Sequence, residues 1–180
     1  DSMNYQAIID QYYPEDTALR HILMIHSRAV MERALAICDR HRELNLDRNF
    51  IVEAAMLHDI GICRCHAPGI LCYGSEPYIS HGRIGAEMLR QAGFSRHARV
   101  CERHTGAGLT KTEIIQQNLP LPHEDFLPET LEEKLICYAD KFYSKSNICH
   151  EKTLEQAERS LAKFGEDGVE RFCDWARMFE

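Results

Sequence analysis

Apolar residues recur along most of the chain at steps of three and four positions, the spacing that places them on one buried face of an α-helix. The clearest series runs from Leu19 to Ile37. No stretch shows the sustained alternation of apolar and polar residues that is typical of a half-buried strand. We therefore expect an all-α, single-domain helical bundle of about eight or nine helices. The predicted helices cover residues 3–13, 16–41, 47–59, 80–92, 95–104, 110–118, 130–144, 153–164 and 169–179.

Capping residues and turn formers mark where these helices begin and end. The spacing of a capping box, in which a Thr precedes a Glu or Gln by three positions, occurs in the pairs Thr110–Glu113, Thr130–Glu133 and Thr153–Gln156. Asp47 and Ser80 fit the N-cap position, and Gly61 fits a C-terminal stop. Residues 62–79 and 119–128 lack a helical period and are rich in turn formers. We expect a loop and a connector there that largely determine substrate specificity.

The composition fits one globular domain. The 180 residues are 44% hydrophobic and 27% charged, which is enough apolar content for a buried core. We expect residues 1–180 to form this domain, with the helices of residues 153–179 packed on its remainder. Asp1 and Ser2, which precede Met3, are interpreted as a cloning remnant. No apolar run approaches the roughly 20 residues of a membrane span, so we expect no membrane partner.

The net charge and the cysteine content indicate which binding partners and which cellular compartment to expect. The net charge of −7 argues against a nucleic-acid-binding surface, whereas a small anionic substrate attracted by metal ions is compatible with it. The eight cysteines are irregularly spaced, and the chain begins without the features of a signal peptide. We therefore expect reduced cysteines and a cytoplasmic location. The sequence does not determine the oligomeric state.

Polar residues occupy four positions where the helical period calls for a core residue, namely His26, His58, His104 and Asp140. Burial of such groups is costly unless their hydrogen-bonding capacity is satisfied. Taken singly, each residue fits a hydrogen-bonded core histidine or a capping aspartate. Taken together, on four different predicted helices, they favour a bound metal ion that would satisfy all of them at once.

The order of these residues resembles a known signature. The H…HD…D pattern of the HD-domain superfamily of metal-dependent phosphohydrolases is similar to the series His26, His58-Asp59 and Asp140. His81 and His104 resemble the two additional histidines of its binuclear members. The likeness covers residues 19–145, which is most of the chain.

Shorter matches add detail to this resemblance. The run His58-Asp59-Ile60-Gly61 resembles the HDIG variant, and Ala139-Asp140-Lys141 resembles the Ala-Asp-Lys of small stand-alone bacterial members. The branch of cyclic-dinucleotide phosphodiesterases is less similar, because the sequence after His104 lacks that branch's Gly-Tyr-Pro. Ile62 also stands where that branch tends to have a lysine. These differences argue against cyclic di-GMP as the substrate.

The resemblance implies a centre with two divalent transition-metal ions. One ion is expected on His26, His58, Asp59 and Asp140, and the other on Asp59, His81 and His104, so that Asp59 bridges them. These ligand types suit iron or manganese best, with cobalt, nickel or zinc as alternatives. The implied reaction is hydrolysis of a phosphomonoester or phosphodiester in a small, nucleotide-like molecule. The nucleophile would be a hydroxide that bridges the two ions.

Nearby polar residues are candidates for contact with the substrate. We expect catalytic roles for Asp59, Lys141 and Arg103, and substrate binding by Arg64, Lys141, Lys145 and Thr105. Lys141 adjoins a predicted ligand. Ile62 stands where a related branch tends to have a lysine, and Arg64 could take the role of that lysine. The simpler interpretation of each basic residue is a solvated surface position.

Other interpretations of the same residues remain open. A mixed-valent di-iron oxygenase of the HD fold would use the same six ligands, and a catalytically silent binding module is a third alternative. A structural zinc site is also conceivable at Cys63, Cys65, His66 and Cys72, although their C-x-C spacing differs from the common C-x2-C motif.

Overall fold

Nine α-helices form the body of residues 3–180, the part of the chain that this computed structural model describes. The predicted all-α fold class is therefore confirmed, and Asp1 and Ser2 lie outside the described residues. The helices are α1 Tyr5–Tyr12, α2 Ala18–Arg40, α3 Arg48–Leu57, α4 His81–Gln91, α5 Ser95–Glu102, α6 Lys111–Gln116, α7 Leu131–Asp140, α8 Leu154–Leu161 and α9 Glu166–Phe179. None of the helices in residues 3–180 is long and apolar enough to cross a membrane.

Side-chain caps fix several of these helix starts, as the sequence predicts. The hydroxyls of Thr110, Thr130 and Thr153 each accept a hydrogen bond from the backbone N–H three residues later, and all three capping boxes are complete. Asp47 likewise caps α3 by accepting from the N–H of Phe50. Ser80 precedes α4 but forms no side-chain cap.

The segment between α3 and α4 contains a small β-sheet, which the prediction of a loop there did not include. Its strands are β1 Cys65–Ala67, β2 Cys72–Tyr73 and β3 Glu76–Pro77, in the order β2-β1-β3. Strand β1 pairs antiparallel with β2 and parallel with β3. Strands of two or three residues are too short to produce a detectable alternation, which is why the sequence did not reveal them.

Two apolar clusters form the interior, and α2 contributes to both. One cluster joins α2 and α3 to α7, α8 and α9. The other joins the end of α3 to α1, α4 and α5. On α2, Leu23 belongs to the second cluster and Val30 to the first, and the buried His26 lies between them in the sequence. The helix therefore carries a polar group between two apolar surfaces.

Gly61 has a different role from the helix stop that the sequence predicted. Helix α3 ends at Leu57, and Gly61 lies within a short 3-10 turn, Ile60–Arg64. A Cβ atom at Gly61 would overlap the carbonyl oxygen of His81 and lie 2.6 Å from the backbone nitrogen of Gly85. The absence of a side chain thus allows the first turn of α4 to lie directly against the turn that follows α3.

A buried tyrosine holds the same turn from the other side. The hydroxyl of Tyr13 donates to the carbonyl of Ile60 at 2.8 Å and accepts from the N–H of Cys63 at 3.1 Å. The backbone that follows His58 and Asp59 is therefore fixed between α1 and α4.

We predict that Gly61→Ala lowers the free energy of unfolding by about 2–3 kcal/mol, because the new methyl group meets backbone atoms and the helix must shift. Gly69→Ala is the matched control, since a Cβ there has no heavy atom within 4 Å, and we expect a change of about 0.5 kcal/mol or less. Urea unfolding of both variants measures the difference. Equal stability of the two variants would contradict the close contact.

Candidate metal centre

Six side chains that the sequence singled out meet at one point in the fold. His26 lies within α2, whereas the other five lie at helix ends. His58 and Asp59 follow α3, His81 begins α4, His104 follows α5 and Asp140 ends α7. His26, His58, Asp59, His81 and His104 are buried, and the side chain of Asp140 is 12% exposed. One helix and four helix ends therefore direct polar groups into a shared interior site.

The six residues form two groups that share Asp59. The donor atoms of His26, His58, Asp59 and Asp140 lie within 4.8 Å of one another, as do those of Asp59, His81 and His104. Each group could hold a metal ion, and the division is the one that the resemblance implied. The structure thus brings together all six residues and is compatible with a centre of more than one metal.

The two oxygens of Asp59 face different groups. Its Oδ2 lies 3.1 Å from Nε2 of His26 and 3.2 Å from Nε2 of His58. Its Oδ1 lies 3.1 Å from Nε2 of both His81 and His104. Asp140 adds a second carboxylate to the first group, with Oδ1 at 2.9 Å from His26 and 3.1 Å from His58.

Hydrogen bonds to the backbone orient three of the histidines. Nδ1 of His58, His81 and His104 each lies 2.6–2.7 Å from the carbonyl oxygen three residues earlier. A carbonyl only accepts, so Nδ1 must carry the proton, and in the neutral ring Nε2 then presents a lone pair to the site. Two of the carbonyls, those of Ala55 and Cys101, lie in the last turns of α3 and α5, where helical carbonyls lack intrahelical partners.

In this tautomer, the hydrogen-bond acceptors of the second group face one another without a proton between them. Nε2 of His104 lies 3.0 Å from Nε2 of His81 and 3.1 Å from Oδ1 of Asp59. Three lone pairs at such distances repel one another unless a cation lies among them. Ligand atoms about 2.1 Å from one ion and at right angles to each other would be about 3.0 Å apart. The donor set and its spacing therefore fit a metal ion.

Both carboxylates of the site remain ionised, which is the state that binds a metal. Burial alone would raise the pKa values of Asp59 and Asp140, but His58 and Lys145 near Asp59, and Lys141 near Asp140, hold them well below their usual range. Burial lowers the pKa of His58, but the two carboxylates outweigh it and raise the value to about 10. Without a metal, the first group therefore retains a proton on His58.

The second group behaves differently, because burial dominates there. It lowers the pKa of His104 to about 4 despite the opposing effect of Asp59. His104 is therefore neutral near pH 7, which is the state that binds a metal.

Two lysines contact the carboxylates of the cluster. Nζ of Lys141 donates to Oδ2 of Asp140 at 2.7 Å and to the carbonyl of His104 at 2.8 Å. Nζ of Lys145 donates to Oδ2 of Asp59 at 2.7 Å. A carboxylate oxygen has two lone-pair sites, so each can accept from a lysine and still bind a metal.

A cavity of about 350 Å³ opens onto this cluster. His81, His104 and Asp140 contribute to its wall, together with Tyr78, Ile79, Thr105 and Gly106. The rest of the lining comes from the region after α7, namely Lys141, Lys145, Lys152, Ser160, Leu161, Lys163 and Phe164. Of the six lysines in the chain, four line this one cavity, whereas none of the fifteen arginines does.

Two of the predicted functional residues, Arg64 for substrate binding and Arg103 for catalysis, do not line the cavity. Arg64 is exposed beside the small sheet. The side chain of Arg103 points to the connector, where it donates to the carbonyl of Leu127 at 2.7 Å and pairs with Glu129 at 3.1 Å. These contacts direct the side chain of Arg103 to the connector, and neither arginine contributes to the cavity wall. Lys141, Lys145 and Thr105 do line the cavity.

The two segments that were expected to determine specificity contribute little to the cavity wall. Of residues 62–79, only Tyr78 and Ile79 line the cavity, and residues 119–128 contribute nothing to it. The residues that replace them are Lys152, Ser160, Lys163 and Phe164, which the sequence pattern did not predict. A usable signal was present, because the first 110 residues contain no lysine and four lysines follow Asp140 within 23 positions.

The cysteine-rich segment does not form a metal site in residues 3–180. Cys65 and Cys72 are buried and His66 is exposed, and none of them belongs to a group whose donor atoms converge. The alternative of a structural zinc at this place is therefore not supported.

Comparison with known proteins connects this geometry to a family. The model of the HD domain matches residues 23–144, a span that contains all six residues of the cluster. An uncharacterized protein of Methanocaldococcus jannaschii is 37% identical over 142 residues, which cover 77% of this chain and 76% of that protein. No solved structure matches the chain.

Two further relatives are longer proteins. The tRNA (cytidine(56)-2′-O)-methyltransferases of Picrophilus torridus and Thermoplasma volcanium are 34% and 33% identical to this chain. The matches cover 78% and 84% of the chain but only 35% and 40% of those two proteins. All three relatives are archaeal, which differs from the bacterial members that Ala139-Asp140-Lys141 resembles. The match to the family model over more than half of the chain shows that the chain belongs to the HD-domain family.

Proposed function

We propose that this protein is a metal-dependent phosphohydrolase that acts on a phosphomonoester or phosphodiester of a small, nucleotide-like molecule. The observation that supports the proposal best is the cavity itself. It joins three residues of the metal-binding cluster to four lysines, in a chain whose net charge is −7. Positive charge concentrated at one place in an acidic protein favours an anionic substrate.

Two divalent metal ions are part of this proposal. His26, His58, Asp59 and Asp140 would hold one ion, and Asp59, His81 and His104 the other. Iron or manganese suits these ligands best, and cobalt, nickel or zinc would also fit. When bound, such ions lower the pKa of a water molecule and stabilise negative charge on a phosphoryl group.

The chain's own residues would orient the ligands and the substrate. Lys141 already uses two donors on Asp140 and His104. An ammonium group has three donors, so one remains for a phosphate oxygen. Lys145 and Thr105 line the same cavity and offer further donors. In this scheme Asp59 positions both ions, and Lys141 links a ligand to the substrate.

The names of the longer relatives do not lead us to propose methyl transfer. The shared part is less than half of those proteins. The cluster of histidines and carboxylates in this chain also favours metal chemistry. We propose the cytoplasm as its location, which is supported by eight cysteines that all remain free thiols.

We predict that the number of metal ions bound per chain depends most strongly on Asp59, because both groups share this residue. Wild-type protein should bind about two ions per chain, His104→Ala about one and Asp59→Asn fewer than one, because Asp59 serves both groups. Elemental analysis after reconstitution measures this, with Lys111→Gln as a surface control and circular dichroism to verify folding. Asp59→Asn with the metal content of the wild type would refute the shared ligand.

We predict that the reconstituted protein releases phosphate from nucleotides or related esters with or without oxygen. Samples loaded separately with Mn, Fe, Co and Ni should be compared in air and under anaerobic conditions. Asp59→Asn should lose at least about a hundredfold in rate, since it disturbs both proposed ions. Turnover confined to the iron form and dependent on oxygen would instead favour the oxygenase, and a folded, inert protein without metal would favour a binding module.

A further inference from the structure

The four cavity lysines fall into two pairs with different surroundings. Lys141 and Lys145 are bonded to Asp140 and Asp59, the two carboxylates of the cluster. Within residues 3–180, Lys152 and Lys163 form no ion pair, and Asp140 is the only carboxylate that lines the cavity. The first pair thus balances the charge of the ligands, and the second pair adds positive charge that the ligands do not require.

The fold holds Lys152 beside the end of α7. Its backbone N–H donates to the carbonyl of Phe142 at 2.8 Å, and Tyr143 and Glu151 form an antiparallel bridge next to it. Through these contacts, the segment that follows the intervening loop lies beside the end of α7, which carries Asp140. The half-buried Lys152 therefore lies on the cavity wall through backbone pairing.

Lys163 is placed by a separate set of contacts. It lies in a 3-10 turn, Ala162–Phe164, that follows α8. Nε2 of Gln117 donates to the carbonyl of Phe164 at 2.8 Å. The ring of Phe164 also lies so close to Gly106 that a Cβ there would be 3.0 Å from its Cδ2 atom. These contacts fix the turn over the Gly106 side of the cavity.

The other three lysines of the cavity disfavour the charge of Lys152. Burial lowers the pKa of Lys152, and Lys141, Lys163 and Lys145 lower it further, whereas Asp140 opposes them. Like charges in a shared cavity are unfavourable until an anion binds among them.

We propose that Lys152 and Lys163 form a second anion subsite, and that the substrate carries two phosphate groups. One group would lie at the metal cluster with Lys141 and Lys145, and the other between Lys152 and Lys163. Lysine is well suited to this role, since it binds phosphate as a flexible point charge. The identity of the reaction at the first group rests on the proposed function, but the binding of the second group does not.

Paired, non-hydrolysable probes test the subsite without turnover. Calorimetric titration of the metal-loaded protein should compare propane-1,3-bisphosphonate with propylphosphonate, which differ by one anionic group. We expect wild-type protein to bind the bisphosphonate at least about tenfold more tightly, because charge-assisted hydrogen bonds to the second group add to the affinity. In the double variant Lys152→Gln/Lys163→Gln, that ratio should fall to about twofold or less.

A matched control separates a local subsite from overall charge. Lys111→Gln/Lys134→Gln removes the other two lysines of the chain, neither of which lines the cavity. It changes the net charge equally and should retain the wild-type ratio. A ratio that survives in the cavity variant, or that falls equally in the control, would overturn the proposal.

Kinetics then distinguish this proposal from the proposed function. With phosphate release as the readout, adenosine 3′,5′-bisphosphate should exceed adenosine 5′-phosphate in kcat/KM by about tenfold or more, and the cavity variant should lose this preference. Hydrolysis with equal preference in the wild type and the cavity variant would refute only the subsite. The expected binding ratios without any hydrolysis would refute only the phosphohydrolase.

Discussion

The carboxylate of Asp59 is the contact on which the rest of the site depends. One of its oxygens faces His26 and His58, and the other faces His81 and His104. It is fully buried, and a buried charge without compensation would strongly destabilise the fold. Lys145 supplies part of that compensation, and either protonated His58 or the proposed ions supply the rest. The helices that carry these groups are therefore held together by electrostatics as well as by apolar packing.

The way these groups reach Asp59 explains the short motif that follows it. Asp59 and His81 come from different segments, and their side chains meet only if the start of α4 lies against the turn Ile60–Arg64. Gly61 permits this approach, because a side chain there would occupy the position of the His81 carbonyl. Tyr13 holds the same turn through Ile60 and Cys63. A glycine two residues after Asp59 is thus a packing requirement of the cluster.

The sequence predicted the helices and four of the cluster residues from local signals, whereas Asp59 and His81 were expected only from the resemblance to the HD-domain signature. Apolar periodicity and the capping boxes mark the helices, and a histidine such as His26 on an apolar face is costly to bury without a polar or metal partner. The small sheet left no such signal, since its strands are two or three residues long. Arg103 adjoins His104 in sequence, yet Leu127 and Glu129 direct its side chain elsewhere. Adjacency in sequence does not determine the direction of a side chain.

Lys152 and Lys163 show that sequence patterns can also miss residues that the fold brings to a cavity. Each lies on a different segment after α7, and each is brought to the cavity by contacts with residues outside its own segment, such as Gln117 for the turn of Lys163. Helical periodicity cannot reveal such placement. What the sequence does contain is a scarcity of lysine before Asp140 and a concentration after it. In a chain with fifteen arginines, the concentration of lysine at one cavity supports the proposed anion sites, because lysine is a compact and flexible cation. The distribution of one residue type therefore contains functional information that its local pattern does not.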